Sequence, residues 1–125
     1  MTQGRVLVVD DEELIVYALS HTLRGEGHFV SGVGSAEEAL DQIEAEGCDL
    51  CFLDLMLPGL DGLSALRSIK ARWPTTKVVL MTASVPSPRD ESLIAALADA
   101  FLPKPFDLTQ ARALARRILG PSGNC

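Results

Sequence analysis

Three acids, one threonine and one lysine are the side chains of this chain best placed to do chemistry together. Asp10 and Asp11 follow the apolar run "RVLVV", Asp54 closes "LCFLD", Thr82 closes "KVVLMT" and Lys104 follows "AFLP". Each has an ordinary role open to it. Asp11 could cap a helix, Asp54 could open the turn at Pro58, and Lys104 could be a solvated surface lysine, as most are. If the apolar runs are neighbouring strands, however, three carboxylates meet within a few ångströms. Two like charges about 4 Å apart repel by roughly 4 kcal/mol at an effective dielectric of 20. A fold carries that cost when something positive occupies the site. Oxygen-only donors suit a hard cation, and Mg²⁺ takes one or two carboxylates while keeping several waters. Lys104 would add an ammonium and Thr82 a hydroxyl donor.

The elements that must position these residues alternate in period. "RVLVVD" (5–10) is a continuous apolar run of the kind buried on both faces of a sheet. Residues 12–25 space Leu14, Ile15, Ala18, Leu19, Thr22 and Leu23 at helical intervals, with Gly25 or Gly27 as the stop. "HFVSGV" (28–33) reads as a weaker strand. Ser35 and Glu38 form a capping box for a helix through about Glu46. "DLCFLD" (49–54) is the third strand, "GLSALRSIKARW" (62–73) the third helix and "KVVLMT" (77–82) the fourth strand. Ser87, Pro88 and Asp90 open the fourth helix. On it Leu93 and Leu97 face the core by spacing, and Glu91, Ala95 and Ala98 face outward. "AFLP" (100–103) is a short last strand, and Asp107 caps a final helix carrying Leu108, Ala111, Leu114, Ala115, Ile118 and Leu119.

Five β–α units of this kind predict a doubly wound parallel sheet with five helices on its two faces, because right-handed crossovers dominate. In the usual strand order, 2-1-3-4-5, the first and third strands are neighbours. Every reactive residue then falls at the carboxyl ends of the strands, where such sheets place their crevice.

The totals narrow the class. With 125 residues the chain is one domain with one ordinary core. Residues 1–119 form that domain, and "GPSGNC" (120–125) reads as a linker-like or disordered tail. A net charge of −6 argues against direct nucleic-acid binding. No run approaches a membrane span, and no signal peptide is visible, so a cytoplasmic setting is expected. Three cysteines fit a reducing compartment. Cys48 and Cys51 stand at a strand entrance, where residues three apart face opposite ways, and read as small buried apolar groups. His21 reads as a helix-surface residue and His28 as a strand-start residue.

The segments "VLVVDDEE", "LDLMLPGLDG", "VVLMTAS" and "FLPKPF" resemble, in that order and over residues 4–119, the receiver domain of a bacterial two-component response regulator. The resemblance implies a flavodoxin-like, CheY-like fold and a phosphotransfer role. Asp54 is similar to the family's phosphoacceptor, whose carboxylate attacks the phosphorus of a phosphohistidine. Asp11, Asp54 and the backbone carbonyl of Met56 would hold Mg²⁺, with Asp10 acting mostly through a bound water. Lys104 and Thr82 would contact phosphoryl oxygens. Phe101 matches the aromatic whose ring turns inward when Thr82 moves, and the Lys104–Pro105 bond is expected to be cis. Phosphoryl transfer needs positioning and charge neutralisation more than a protein acid or base, which this residue set supplies. The implied molecule is a signalling domain rather than an enzyme, although it catalyses its own phosphorylation and dephosphorylation.

The implied partners are a sensor histidine kinase or phosphotransfer protein, and an output domain C-terminal to residue 125 or a separate target. A phosphorylation-dependent homodimer is a further expectation. Gln110 and Leu114 nevertheless stand where the acid–base pair of one familiar dimer face would carry Glu and Arg. A flavin-binding protein would share the architecture, but "DDEEL" after the first strand would repel its phosphate. A receiver-like interaction module independent of phosphorylation is the other alternative. It would show gaps among the acid pair, Asp54 and Lys104, and none is missing.

Overall fold

Among the described residues five strands and five helices alternate: β1 (Arg5–Val9), α1 (Glu13–Gly25), β2 (Phe29–Val33), α2 (Ala36–Glu46), β3 (Leu50–Asp54), α3 (Gly62–Arg72), β4 (Lys77–Thr82), α4 (Pro88–Leu97), β5 (Ala100–Pro103) and α5 (Leu108–Leu119). This computed structural model describes residues 4–57, 59 and 61–120. The tail expected beyond Gly120 lies outside them. All strands are parallel, in the order β2-β1-β3-β4-β5. The central strand β3 is buried along its whole length, as its unbroken apolar sequence requires.

The two faces of the sheet hold separate cores. Leu7, Val9, Cys51, Leu53 and Leu80 point toward α2, α3 and α4, and Val6, Val8, Phe52, Val79 and Met81 point toward α1 and α5. Alternation along β3 therefore carries the Asp54 side chain onto the α1/α5 face. Gly32 lets α1 approach the sheet closely, since a Cβ there would lie 2.3 Å from Val16 Cγ1. No helix among the described residues is long and apolar enough to cross a membrane.

Several local expectations need correction. Asp11 does not cap α1: the N-cap is Glu12, and its side chain makes no capping hydrogen bond. Ser35 Oγ accepts from Glu38 N–H, but Glu38 answers through the Ser35 hydroxyl rather than its backbone, so the box is half formed. The reciprocal capping box is at Asp107 and Gln110. Leu14 is 83% exposed and Leu108 37%. The apolar arc of each helix is wider than the face the sheet covers. Ile94 is the buried residue of α4, and Ala98, expected outward, packs on the core as the helix ends. Cys48 and Cys51 pack on the same core, because Cys48 precedes the strand and escapes its alternation. Burial raises both thiols, Cys48 to about 12, so neither is a thiolate at neutral pH.

Candidate functional site

β1, β3, β4 and β5 deliver their last residues to one pole of the sheet. The β1–β3 pairing brings Val9 beside Leu53, and β3 continues to pair Asp54 with Met81 of β4. Thr82 in turn pairs with Pro103, which precedes Lys104. The pole is therefore built from residues distant in sequence that parallel pairing makes neighbours.

Asp54 is fixed from both sides. Its Oδ1 accepts the Met56 N–H at 3.0 Å, and Leu55 N–H donates to Met81 O at 2.8 Å. The start of α3 rests directly on this backbone. A Cβ on Gly62 would lie 2.5 Å from Leu55 Cα and 2.6 Å from Asp54 O, so only glycine fits there. Asp61 caps the same helix by accepting Ser64 N–H. The acid–glycine pair at 61–62 thus clamps the strand end that carries Asp54.

Lys104 is the pole's cation. Its Nζ lies 2.8 Å from Asp10 Oδ2, 3.1 Å from Glu12 Oε1 and 3.2 Å from Asp54 Oδ2. The Asp10 contact is an ion pair by distance but lacks hydrogen-bond alignment, and Asp10 Oδ1 accepts Glu12 N–H at 2.9 Å. Burial lowers the lysine's pKa, yet its close contacts with the three carboxylates outweigh it and the net shift is upward. The pKa of Asp54 is raised. Burial is the main cause, opposed by the Met56 hydrogen bond and reinforced by the charge of Asp10, while Lys104 pulls the other way.

One oxygen each from Asp10, Asp11 and Asp54 lies within 4.8 Å of the others. Asp10 and Asp54 are buried and Asp11 is exposed, so the group opens to solvent on the Asp11 side. A spacing that a single hard cation could bridge, with one lysine for three nearby acids, fits a divalent metal.

Comparison with known proteins agrees with this geometry. The family model of the response regulator receiver domain matches residues 6–116. The chain belongs to that family. It is 37% identical over 121 residues to the DNA-binding transcriptional regulator NtrC of Escherichia coli (strain K12), covering 95% of this chain and 25% of the relative. Among solved structures it is similar to NtrX from Brucella abortus, with a TM-score of 0.85 and 34% identity over 96% of this chain and 28% of the other. A CheY-like response regulator receiver domain protein from Methanospirillum hungatei JF-1 gives a TM-score of 0.87 at 27% identity, covering 93% of both chains. The chain thus spans about a quarter of the length of NtrC.

In this receiver domain the residues expected at the site do converge: Asp10, Asp11, Asp54 and Lys104 form one cluster, with the Lys104–Pro105 bond cis. Thr82 ends β4 at the same pole, buried, with Oγ1 accepting Ser84 N–H at 3.0 Å. Phe101 is 38% exposed, its ring partly outside the core. Met56, two residues after Asp54, is 60% exposed. Two features escape the sequence. Glu12 reaches across from the N-terminus of α1 to Lys104, and nothing in its sequence spacing marks that contact. The other is an apolar cavity of about 520 Å³ beside Lys104, lined by Leu14, Ile15, Ala18, Pro105, Phe106 and Leu108 among others. The signal for it was present: Leu14 and Leu108 extend the apolar arcs beyond the buried faces.

Proposed function

We propose that this receiver is a phosphoacceptor domain that takes a phosphoryl group onto Asp54 from a histidine kinase or phosphotransfer protein. The observation that carries the reading is the position of Asp54. It is a buried carboxylate fixed at a strand end, with Lys104 Nζ at 3.2 Å and two further acids within cation-bridging distance.

One oxygen of Asp54 attacks the phosphorus of the donor's phosphohistidine. A P–O bond forms as the P–N bond breaks, and the electron pair leaves with the imidazole nitrogen, which takes up a proton. Lys104 shifts from the carboxylates to an oxygen of the arriving group. Bound Mg²⁺, held by Asp11, Asp54 and the Met56 carbonyl with Asp10 through a water, would neutralise charge on the phosphoryl oxygens. The role of Asp10 is supported by its burial and by its existing bonds to Glu12 N–H and Lys104. The apolar cavity at Leu14 and Leu108 opens beside Lys104, and its chemistry suits an apolar surface of the phosphodonor protein.

After transfer, the Thr82 hydroxyl, whose oxygen accepts Ser84 N–H in the resting state, donates its proton to a hydrogen bond with a phosphoryl oxygen, and the Phe101 ring turns inward, altering the face made by α4, β5 and α5. That face then controls an output domain, a separate partner or a phosphorylation-dependent homodimer. The domain acts as a cytoplasmic signalling switch, its only catalysis being its own phosphorylation and dephosphorylation.

Incubation with acetyl phosphate and Mg²⁺, followed by peptide mass spectrometry, tests the reading. One acid-stable, hydroxylamine-labile phosphoryl group is expected on Asp54, and Asp54→Asn should lose it. Label mainly on Thr82, Ser84 or a histidine would contradict the mechanism. Trp73 ends α3 at the opposite pole and packs on the opposite core, so its fluorescence should respond little.

A further inference from the structure

Lys104 has three N–H donors and three carboxylate neighbours, one more than Asp10 and Asp54 supply. The third is Glu12. Its position is costly for α1: as N-cap it makes no side-chain cap bond to the first-turn amides, a contact that ordinarily stabilises a helix by about 1 kcal/mol. Instead its carboxylate crosses to the residue after β5, placing Oε1 3.1 Å from Lys104 Nζ. The three partners differ in how easily they can let go. The side chains of Asp10 and Asp54 are 0% and 5% exposed, whereas that of Glu12 is 63% exposed. A released Glu12 carboxylate returns to water at little cost, and a released Asp10 or Asp54 would not.

We propose that Glu12 is a positioning residue, an internal anion that holds Lys104 over the site until an incoming phosphoryl oxygen displaces it. This inference rests on the phosphoacceptor reading of Asp54. Glu12 keeps the ammonium aimed at Asp54 in the resting state, and the donor must compete with it for one N–H. Removing the carboxylate therefore strengthens binding of a phosphoryl group or its mimic more than it changes the rate at saturation.

Glu12→Gln should lower the half-saturating concentrations of acetyl phosphate and of beryllofluoride by roughly two- to fivefold, the range an exposed ion pair supports, with a smaller change in the saturated rate. Glu12→Asp keeps the charge but shortens the reach, and should resemble Glu12→Gln. Glu13→Gln makes the same charge change one residue on, at an exposed position that is not one of Lys104's three partners, and should resemble wild type. In metal-free protein the side-chain ammonium signal of ¹⁵N-labelled Lys104 should move in both Glu12 variants and not in Glu13→Gln. The proposal is overturned if Glu13→Gln gives the same gain, which would mean bulk charge. It is equally overturned if Glu12→Asp behaves as wild type, or if neither half-saturation nor the ammonium signal responds to Glu12→Gln. Wild type that takes no label on Asp54 would instead reject the phosphoacceptor reading itself.

Discussion

The two ends of the sheet use the same residue types to opposite effect. Where the strands begin, Asp49 Oδ2 accepts Arg5 N–H at 2.8 Å, and Asp99 Oδ2 accepts both Val78 N–H at 2.8 Å and Lys70 Nζ at 3.1 Å. Lys70 also reaches Thr76 O, and Thr76 Oγ1 donates to Cys48 O at 2.7 Å. His28 joins them, its Nδ1 accepting Gly4 N–H while burial depresses its pKa. Here each carboxylate answers a specific donor, although His28 Nε2 is buried without a hydrogen-bond partner. Where the strands end, Asp10, Asp54 and Glu12 share one lysine, and Asp11 lies beside the other two aspartates. An Asp, a Lys and a Thr make structure at one pole and unresolved repulsion at the other. The lesson is that the balance of charge and donors, rather than residue type, separates a scaffold from a site.

That contrast can be broken at either end. The largest effect is expected where the strands begin. Asp99→Ala leaves the N–H of fully buried Val78 without its partner and takes from Lys70 its carboxylate, though not its bond to Thr76 O. It should destabilise by roughly 2 kcal/mol, the cost of an orphaned buried group, as read from denaturant unfolding. Labelling of Asp54 in the surviving folded protein should be unchanged.

A smaller effect sharpens the account at the open pole. In metal-free protein the Asp54 carboxyl should titrate above its ordinary value of 3.8, because burial and the Asp10 charge disfavour the ionised form. A carboxyl whose folded pKa lies above its unfolded one contributes stability below the unfolded pKa and loses it as pH rises through the folded one. Ionised Asp54 is therefore a liability at neutral pH. Added Mg²⁺ should move the titration downward, since a cation favours the charged form. Carboxyl ¹³C NMR would read both shifts, and an upward movement on adding Mg²⁺ would contradict the metal assignment.

The order of the elements, the two-faced burial and the convergence of four strand ends were legible in sequence for one reason. Continuous apolar runs admit only buried parallel strands, and parallel pairing then dictates which residues become neighbours. Side-chain phase was less legible. Periodicity marks how wide an apolar arc is, but not how much of it the sheet covers, so Leu14 and Leu108 read as core and lie outside it. Cys48 was misplaced because strand alternation stops where the strand does. Glu12 was missed because a long side chain 92 positions from Lys104 carries no local signature of where it points. Gly62 was visible only as the first residue of the third helix; its need for bare backbone contact comes from α3 resting on Asp54 and Leu55.

Equilibrium unfolding of wild type and Asp54→Asn, each with and without millimolar Mg²⁺ at neutral pH, tests the central claim most directly. If the open pole is a carboxylate cluster held against its own repulsion for a cation and a phosphoryl group, Mg²⁺ stabilises wild type. Asp54→Asn is then more stable than wild type without metal, by about 1 kcal/mol, and loses most of the Mg²⁺ response. An Asp54→Asn protein that is less stable than wild type in metal-free buffer, or a wild type indifferent to Mg²⁺, would show that Asp54 is a satisfied structural acid like those at the other pole.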